Sequence, residues 1–169
     1  MSIVIKKKNP VAHGIKVAIA TVAIFVIIGL VVKFTKKSNQ EIPNPSQSFT
    51  QLLTGNSHSL IPSIRLHVLA DAPENAWVAA LSEFTGGTKE LKVAFGRADV
   101  LTDNYAIEVD FLRKWKEGLG QALHYGDVTK LIPVLALIAP NPVDKDMLKQ
   151  IEGLCTKQGV KLILLVPDN

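Results

Sequence analysis

The clearest alternation of apolar and polar residues lies between residues 105 and 111, in the sequence YAIEVDF. The apolar residues of one face are Tyr105, Ile107, Val109 and Phe111. A strand here would bury that face and place Glu108 and Asp110 together on the opposite face. Two neighbouring carboxylates repel each other, so the arrangement is costly unless a cation or a basic side chain lies between them. We therefore expect chemistry at this strand.

Hydrophobic periodicity predicts a regular series of strands and helices along the rest of the chain. The predicted elements are strand 64–70, helix 74–84, strands 90–95, 97–102 and 105–111, helix 112–128, strand 131–139, helix 144–158 and strand 160–166. Strands in a row followed by strand–helix alternation predict a mixed sheet with helices on both faces. The predicted fold class is α/β.

A long apolar run lies near the amino end of the chain. Residues 17–32 contain no charged residue. The longer segment 15–34 reaches the length of a membrane span if Lys16 and Lys33 extend toward the headgroups. We interpret this segment as a transmembrane helix. A cleaved signal peptide is the alternative, because a lysine cluster precedes the run, but no small-x-small cleavage site follows it.

The predicted span divides the chain into three parts. Residues 1–37 form a membrane anchor with basic flanks, and residues 38–62, rich in polar residues and proline, form a linker. Residues 63–169 then form the α/β domain. Some apolar residues of the linker, Leu53 among them, could dock on that domain.

The net charge of +4 is unevenly distributed. Seven lysines and no acid precede residue 40, whereas twelve basic and fifteen acidic residues follow from Glu41 onward, a net charge of −3. The basic balance therefore reflects the membrane flanks and gives no support for binding to nucleic acid. Lysines flank both ends of the apolar run, so the side of the membrane on which the domain lies stays open. A single cysteine excludes an intramolecular disulfide framework.

A set of charged and polar residues recurs at defined places in the predicted elements. Asp99 lies on the second of three consecutive strands, and Glu108-Val109-Asp110 lies on the third. Together with the order of helices and strands, this pattern resembles the PD-(D/E)xK nuclease superfamily over residues 73–166. The resemblance implies a restriction-endonuclease-like fold and metal-dependent hydrolysis of DNA.

The resemblance also implies roles for individual residues. Asp99 and Glu108 would be metal-binding carboxylates, and the backbone carbonyl of Val109 would be a further ligand. Glu74 matches the helix glutamate of Holliday-junction resolvases and their relatives and would be another candidate ligand. Hard oxygen donors of this kind suit Mg²⁺ or Mn²⁺.

One position departs from the motif, because Asp110 stands where the lysine of the superfamily belongs. Some restriction enzymes carry an acid there, and in other members the lysine comes from the following helix, for which Lys114 and Lys116 are the candidates. Such a lysine would orient or deprotonate water, or hold a phosphate oxygen. The residues expected to contact DNA are Arg97, Arg113 and the Gln-x-x-x-Tyr pair of RecB-like members, Gln121 and Tyr125.

Three functional hypotheses follow. The first is a single-pass protein, of a bacterial inner membrane, that acts as a divalent-metal-dependent nuclease on DNA. The second keeps the fold without catalysis, as a membrane-tethered module that binds nucleic acid or a protein. The third is an unrelated small-molecule or scaffolding role, in which Glu108 and Asp110 form a solvated strand face.

Overall fold

The computed structural model describes residues 45–54, 61–139 and 143–168. The predicted membrane span, residues 15–34, lies outside the described residues. Across the described ranges, no helix has both the length and the apolar character needed to cross a bilayer.

The described chain contains four α-helices and six strands. The helices are α1 (Pro45–Thr54), α2 (Glu74–Thr85), α3 (Trp115–Thr129) and α4 (Lys145–Lys157). The strands are β1 (Ser63–Leu66), β2 (Thr88–Val93), β3 (Gly96–Leu101), β4 (Tyr105–Phe111), β5 (Ile132–Ile138) and β6 (Lys161–Pro167). A 3₁₀ turn, Leu112–Lys114, joins β4 to α3.

All six strands belong to one sheet, in the order β1-β6-β5-β4-β3-β2. The four strands β1, β6, β5 and β4 are parallel neighbours. The remaining strands, β3 and β2, pair antiparallel. The predicted α/β class with a mixed sheet is therefore confirmed, and β4 lies where parallel pairing changes to antiparallel pairing.

Helices cover both faces of the sheet. On one face, α1 and α2 pack on the sheet, and Trp77 of α2 joins Ile107 of β4 in a common core. On the other face, Ala122 of α3 and Ile151 of α4 pack with Leu135 of β5. Because β4 is central and covered on both faces, polar side chains on this strand are buried rather than solvated.

The first strand is shorter than the predicted segment 64–70. The carbonyl of Leu66 accepts hydrogen bonds from the N–H groups of Val68, at 2.8 Å, and Asp168, at 2.8 Å. The chain therefore turns directly after Leu66, and the residues that continue the alternation lie outside the strand.

The prediction of a polar linker over residues 38–62 is wrong in part, because Pro45–Thr54 form helix α1. Its sequence is largely polar, yet Phe49 and Leu53 are buried. The ring of Phe49 meets that of Tyr105 edge to face, with 5.5 Å between the ring centroids. Tertiary packing of a few apolar residues, rather than local helix propensity, accounts for this helix.

Candidate functional site

Two carboxylates of β4 lie beneath helix α3. Glu108 is 5% exposed and Asp110 is 3% exposed. The helix approaches closely because it carries Gly118 at the contact. A Cβ on Gly118 would lie 2.9 Å from Leu135 Cδ1 and 3.2 Å from Asp110 Cβ. The sequence pattern predicted that the two acids share a face, and the helix contact explains why that face is buried.

Asp99 joins this pair from the neighbouring strand. Backbone pairing between β3 and β4 includes Val100 with Ile107 but does not extend to Asp99. Instead, the N–H of Val109 donates a hydrogen bond to Asp99 Oδ2, at 2.8 Å. The Asp99 carboxylate thus takes the place of a backbone acceptor and lies beside Glu108.

Glu74 reaches the same place from the first turn of α2. Burial raises the pKa of its carboxyl group, and repulsion from Asp110 and Asp99 adds to the rise, so Glu74 lies close to both acids. Four carboxylates from three elements are therefore brought together. We call Glu74, Asp99, Glu108 and Asp110 the acidic cluster.

The carboxyl groups of the acidic cluster bind protons more strongly than ordinary carboxyl groups do. Burial raises the pKa of Glu108 to about 9, and repulsion from Asp99 and Asp110 adds to this rise. Burial is also the main reason why the pKa values of Glu74, Asp99 and Asp110 lie above their ordinary range. Glu108 therefore holds a proton at neutral pH, and the other three acids bind protons more strongly than ordinary carboxyl groups.

One oxygen of the cluster has an unusual environment. Glu108 Oε2 is buried and has no hydrogen-bond partner in the described part of the chain. An unpaired buried carboxylate oxygen costs free energy unless a proton or a cation compensates it. Oxygen donors at a position with excess negative charge fit a divalent cation such as Mg²⁺ or Mn²⁺.

The carboxylates do not form a preorganised metal site. Within the described ranges, no group of three or more His, Cys, Asp or Glu side chains is placed so that it could hold a metal ion. Instead, the acids lie close enough to affect one another: beyond the larger effect of burial, Asp110 raises the pKa of Glu74 and Asp99 raises the pKa of Glu108. A cation would have to replace the proton that Glu108 holds.

The two candidate lysines differ in their surroundings. Lys114 Nζ lies 3.8 Å from Asp110 Oδ1, and its side chain is 45% exposed. Lys116 instead lies over the ring of Trp115, at 5.6 Å from the centroid. Arg113 similarly lies over the ring of Phe111, at 4.5 Å. Of these three cations, Lys114 is the one that contacts the acidic cluster.

Gln121 and Tyr125 lie one turn apart on α3. The Tyr125 hydroxyl donates a hydrogen bond to Gln121 Oε1, at 3.3 Å. Burial raises the pKa of Tyr125, and the charge of Glu108 adds to the rise, so the tyrosine borders the cluster. Its ring also packs against Gly96, where a Cβ would lie 2.8 Å from Tyr125 Cε1.

Arg97 lies beside the cluster on β3. Its positive charge lowers the pKa of Asp99, although burial of Asp99 outweighs this effect. The guanidinium also lies 3.9 Å from Glu90 in an exposed contact.

Sequence reasoning missed two features of α3. Gly118 permits the close approach described above, and a glycine inside a helical pattern is the signal that could have indicated it. Glu117 contributes repulsion that raises the pKa of Asp110. Its position three residues after Lys114 was the available signal, because such residues share a helix face.

The chain matches no family model, no curated protein and no solved structure. Fold and site together define an α/β protein with a partly buried acidic cluster where β4 meets β3.

Proposed function

We propose that this protein is a membrane-anchored, divalent-metal-dependent nuclease that hydrolyses DNA phosphodiester bonds. The observation that carries the proposal is the partly buried acidic cluster, in which Glu108 Oε2 has no partner among the described residues. Such a concentration of carboxylates is unfavourable for folding alone, because burial and repulsion from Asp99, Asp110 and Glu74 all raise the pKa of Glu108. Binding of a cation would offset this cost, which accounts for the concentration of carboxylates.

The order of elements gives further support. A helix carrying Glu74, an antiparallel pair carrying Asp99 and Glu108, and a following helix carrying Gln121 and Tyr125 match the PD-(D/E)xK pattern. We therefore propose a restriction-endonuclease-like sheet. The membrane anchor rests on the apolar run at residues 15–34.

In this proposal Asp99, Glu108 and the carbonyl of Val109 hold Mg²⁺ or Mn²⁺, with Glu74 as a further ligand. When bound, the cation supplies a Lewis acid that neutralises charge on the scissile phosphate and lowers the pKa of a water. Glu108 is buried beneath α3, which keeps its carboxylate apart from bulk water and strengthens its interaction with a cation.

Lys114 performs the task of the missing motif lysine. Its ammonium lies 3.8 Å from Asp110 and its side chain is half-exposed, so it can reach both the cluster and a phosphate in solvent. Asp110 occupies the position of the motif lysine, and its contact with Lys114 holds that lysine in place. Arg97, Arg113, Gln121 and Tyr125 are proposed to line the DNA path.

Cleavage by the full chain in detergent micelles tests this proposal. Linear, nicked and single-stranded DNA are incubated with Mg²⁺ or Mn²⁺, and we expect cleavage that EDTA abolishes. Glu108→Gln should remove it, because the amide cannot supply a charged ligand. Glu83→Gln, at an exposed position of α2, serves as the matched control and should retain cleavage.

A second candidate is a nuclease-fold module that binds nucleic acid or a protein without cutting. The observation that favours it is Asp110, a buried acid at the position of the motif lysine. DNA binding without cleavage, unchanged by metal and by Glu108→Gln, would support this candidate and contradict the nuclease.

A further inference from the structure

An exposed phenylalanine lies at the turn between β2 and β3. Val93 pairs with Gly96, so Ala94 and Phe95 form a two-residue turn. Phe95 is 98% exposed and has a φ of 59°, in the left-handed region that favours glycine. The residue thus combines backbone strain with an exposed aromatic ring, and neither feature benefits the folded state.

Two basic residues flank this turn. Lys92 of β2 lies directly opposite Arg97 of β3. Like charges at directly opposite strand positions are destabilising. The contact of Arg97 with Glu90, at 3.9 Å, is exposed and contributes little. In the part of the chain that the structure describes, Lys92 makes no ion pair. We call Phe95, Lys92 and Arg97 the hairpin tip.

The hairpin tip is held against α3 by two contacts. His124 Nε2 lies 2.9 Å from the carbonyl oxygen of Ala94, and since a carbonyl only accepts, the ring nitrogen donates. The ring of Tyr125 packs against Gly96, the residue after Phe95. Because Tyr125 also borders Glu108, the tip has a fixed place relative to the acidic cluster.

The tip is also near the cluster along the strand. Asp99 follows Phe95 by four positions, a span of about 13 Å along extended chain. That distance corresponds to a few nucleotides of a DNA strand. An aromatic ring between cations is the arrangement by which proteins bind single-stranded nucleic acid, with the ring against a base and the cations on phosphates.

We propose that Phe95 stacks on an unpaired base of the DNA and that Lys92 and Arg97 bind the phosphates beside it. The substrate is then single-stranded or locally unpaired DNA, because the bases of an intact duplex are already stacked on one another. This inference rests on the proposed nuclease function and names its substrate class.

Binding measurements on the full chain in nanodiscs of zwitterionic lipid test the proposal. Fluorescence anisotropy follows a labelled single-stranded oligonucleotide and its blunt duplex, in EDTA and at about 20 mM salt, where phosphate contacts are strong. We expect Phe95→Ala to weaken single-strand binding by about 5- to 150-fold, the loss of one stacked base. Duplex binding should change by less than about twofold, and Phe95→Trp should restore single-strand binding.

Two further variants separate binding from folding. Phe95→Gly suits the positive φ, so we expect an unchanged or higher melting temperature together with the same loss of single-strand binding. Leu69→Ala removes a residue that is 76% exposed outside the hairpin and should leave both affinities unchanged. Equal losses for single strand and duplex, or no loss with Phe95→Ala, would overturn the proposal.

The two proposals fail in different ways. Cleavage by the wild type with single-strand binding unaffected by Phe95→Ala overturns the role of the hairpin tip alone. Phe95-dependent binding without cleavage overturns the nuclease and retains the role of the tip. Absence of single-strand binding by the wild type in EDTA overturns the role of the hairpin tip, and both proposals are overturned only if the wild type also fails to cleave DNA with Mg²⁺ and Mn²⁺.

A membrane is the other surface that an exposed aromatic ring could contact. Lipids with brominated acyl chains quench the fluorescence of tryptophans that lie within the bilayer. Quenching of Phe95→Trp beyond that of the wild type, which contains Trp77 and Trp115, would place the tip in the bilayer and overturn the proposal. Unchanged fluorescence, together with quenching by the single strand, supports it.

Discussion

At the scale of single residues, Glu108 shows how far environment changes a carboxyl group. Its side chain is buried beneath α3, beside Asp99 and Asp110, and one of its oxygens has no partner within the described residues. Protonation of Glu108 compensates its unpaired oxygen but removes the charge of the carboxyl group. A bound cation would compensate the oxygen while the carboxyl group stays ionised. The protonation state of this residue is therefore linked both to folding and to metal binding.

The raised pKa of Glu108 predicts how stability varies with pH in EDTA. The folded chain binds more protons than the unfolded chain between pH 4.5 and about 9. The free energy of unfolding should therefore be highest below this window and fall as pH rises through it. Urea denaturation at a series of pH values measures the fall.

Glu108→Gln should make that fall smaller, because the amide has no proton to lose. A residual fall should remain from Glu74, Asp99 and Asp110, whose pKa values are also raised. Glu83→Gln is the control and should leave the profile as in the wild type. An identical profile for Glu108→Gln would contradict the assigned environment of this residue.

The two lysines after β4 should differ in their effect on cleavage. Lys114→Ala removes the ammonium that lies beside Asp110, and we expect the cleavage rate constant to fall by about 100-fold. Lys116→Ala removes a cation that lies over Trp115 and should change the rate by less than about threefold. Single-turnover cleavage compares them, and the reverse order would show that the wrong lysine has been assigned.

The alternation at residues 105–111 was enough to predict that Glu108 and Asp110 share a face. It could not predict that both are buried, because burial depends on whether a helix covers that face. The interaction of Glu74 with Asp110 is also beyond a periodic pattern, since it joins residues far apart in sequence. Choosing Lys114 over Lys116 likewise required the direction in which each side chain leaves the helix.

At the scale of elements, the position of α3 decides the geometry of the site. Gly118→Ala would place a Cβ 3.2 Å from Asp110 Cβ and 2.9 Å from Leu135 Cδ1. We expect a loss of about 1–3 kcal/mol in the free energy of unfolding, because the helix must move away from the sheet.

Gly120→Ala is the matched control for this substitution. Nothing lies within 4 Å of a Cβ at this position, so the gain in helix propensity should stabilise the protein by up to about 1 kcal/mol. Denaturant unfolding gives both values. Equal changes for the two variants would contradict the close packing of α3 at Gly118.

Helix α1 should be an integral part of the folded domain rather than a tether. Phe49→Ala removes a fully buried ring that contacts Tyr105, and we expect a loss of about 3–5 kcal/mol in the free energy of unfolding. Gln51→Ala, at an exposed position of the same helix, should change it by less than about 0.5 kcal/mol. A small effect of Phe49→Ala would restore the interpretation of this segment as a linker.

The elements differ in how well the sequence predicts them. Strand β4 was predicted at its observed bounds because its alternation is regular, and β5 was predicted to within one residue at each end because its apolar run is continuous. Helix α1 was not predicted, because PSQSFTQLLT has few apolar residues and weak helix propensity. Its stability comes from contacts with residues distant in sequence, which local patterns do not contain.

At the scale of the whole molecule, positive and negative charge are segregated along the chain. The lysines before residue 40 belong to the predicted membrane flanks, and the part from Glu41 onward has a net charge of −3. DNA would therefore approach an acidic domain, on which a metal and the basic hairpin tip supply the attraction. The acidic cluster and the tip lie on connected strands, so both could act on one DNA strand.

The most direct test of the acidic cluster as a metal site is calorimetric titration of the full chain with Mn²⁺ at neutral pH. Two buffers of different ionisation enthalpy reveal protons released on binding. We expect binding with proton release, because the cation replaces the proton held by Glu108. Glu108→Gln should weaken binding by about 10- to 100-fold and release fewer protons. Absence of binding, or binding unchanged by Glu108→Gln, would contradict the assignment of this cluster as a metal site.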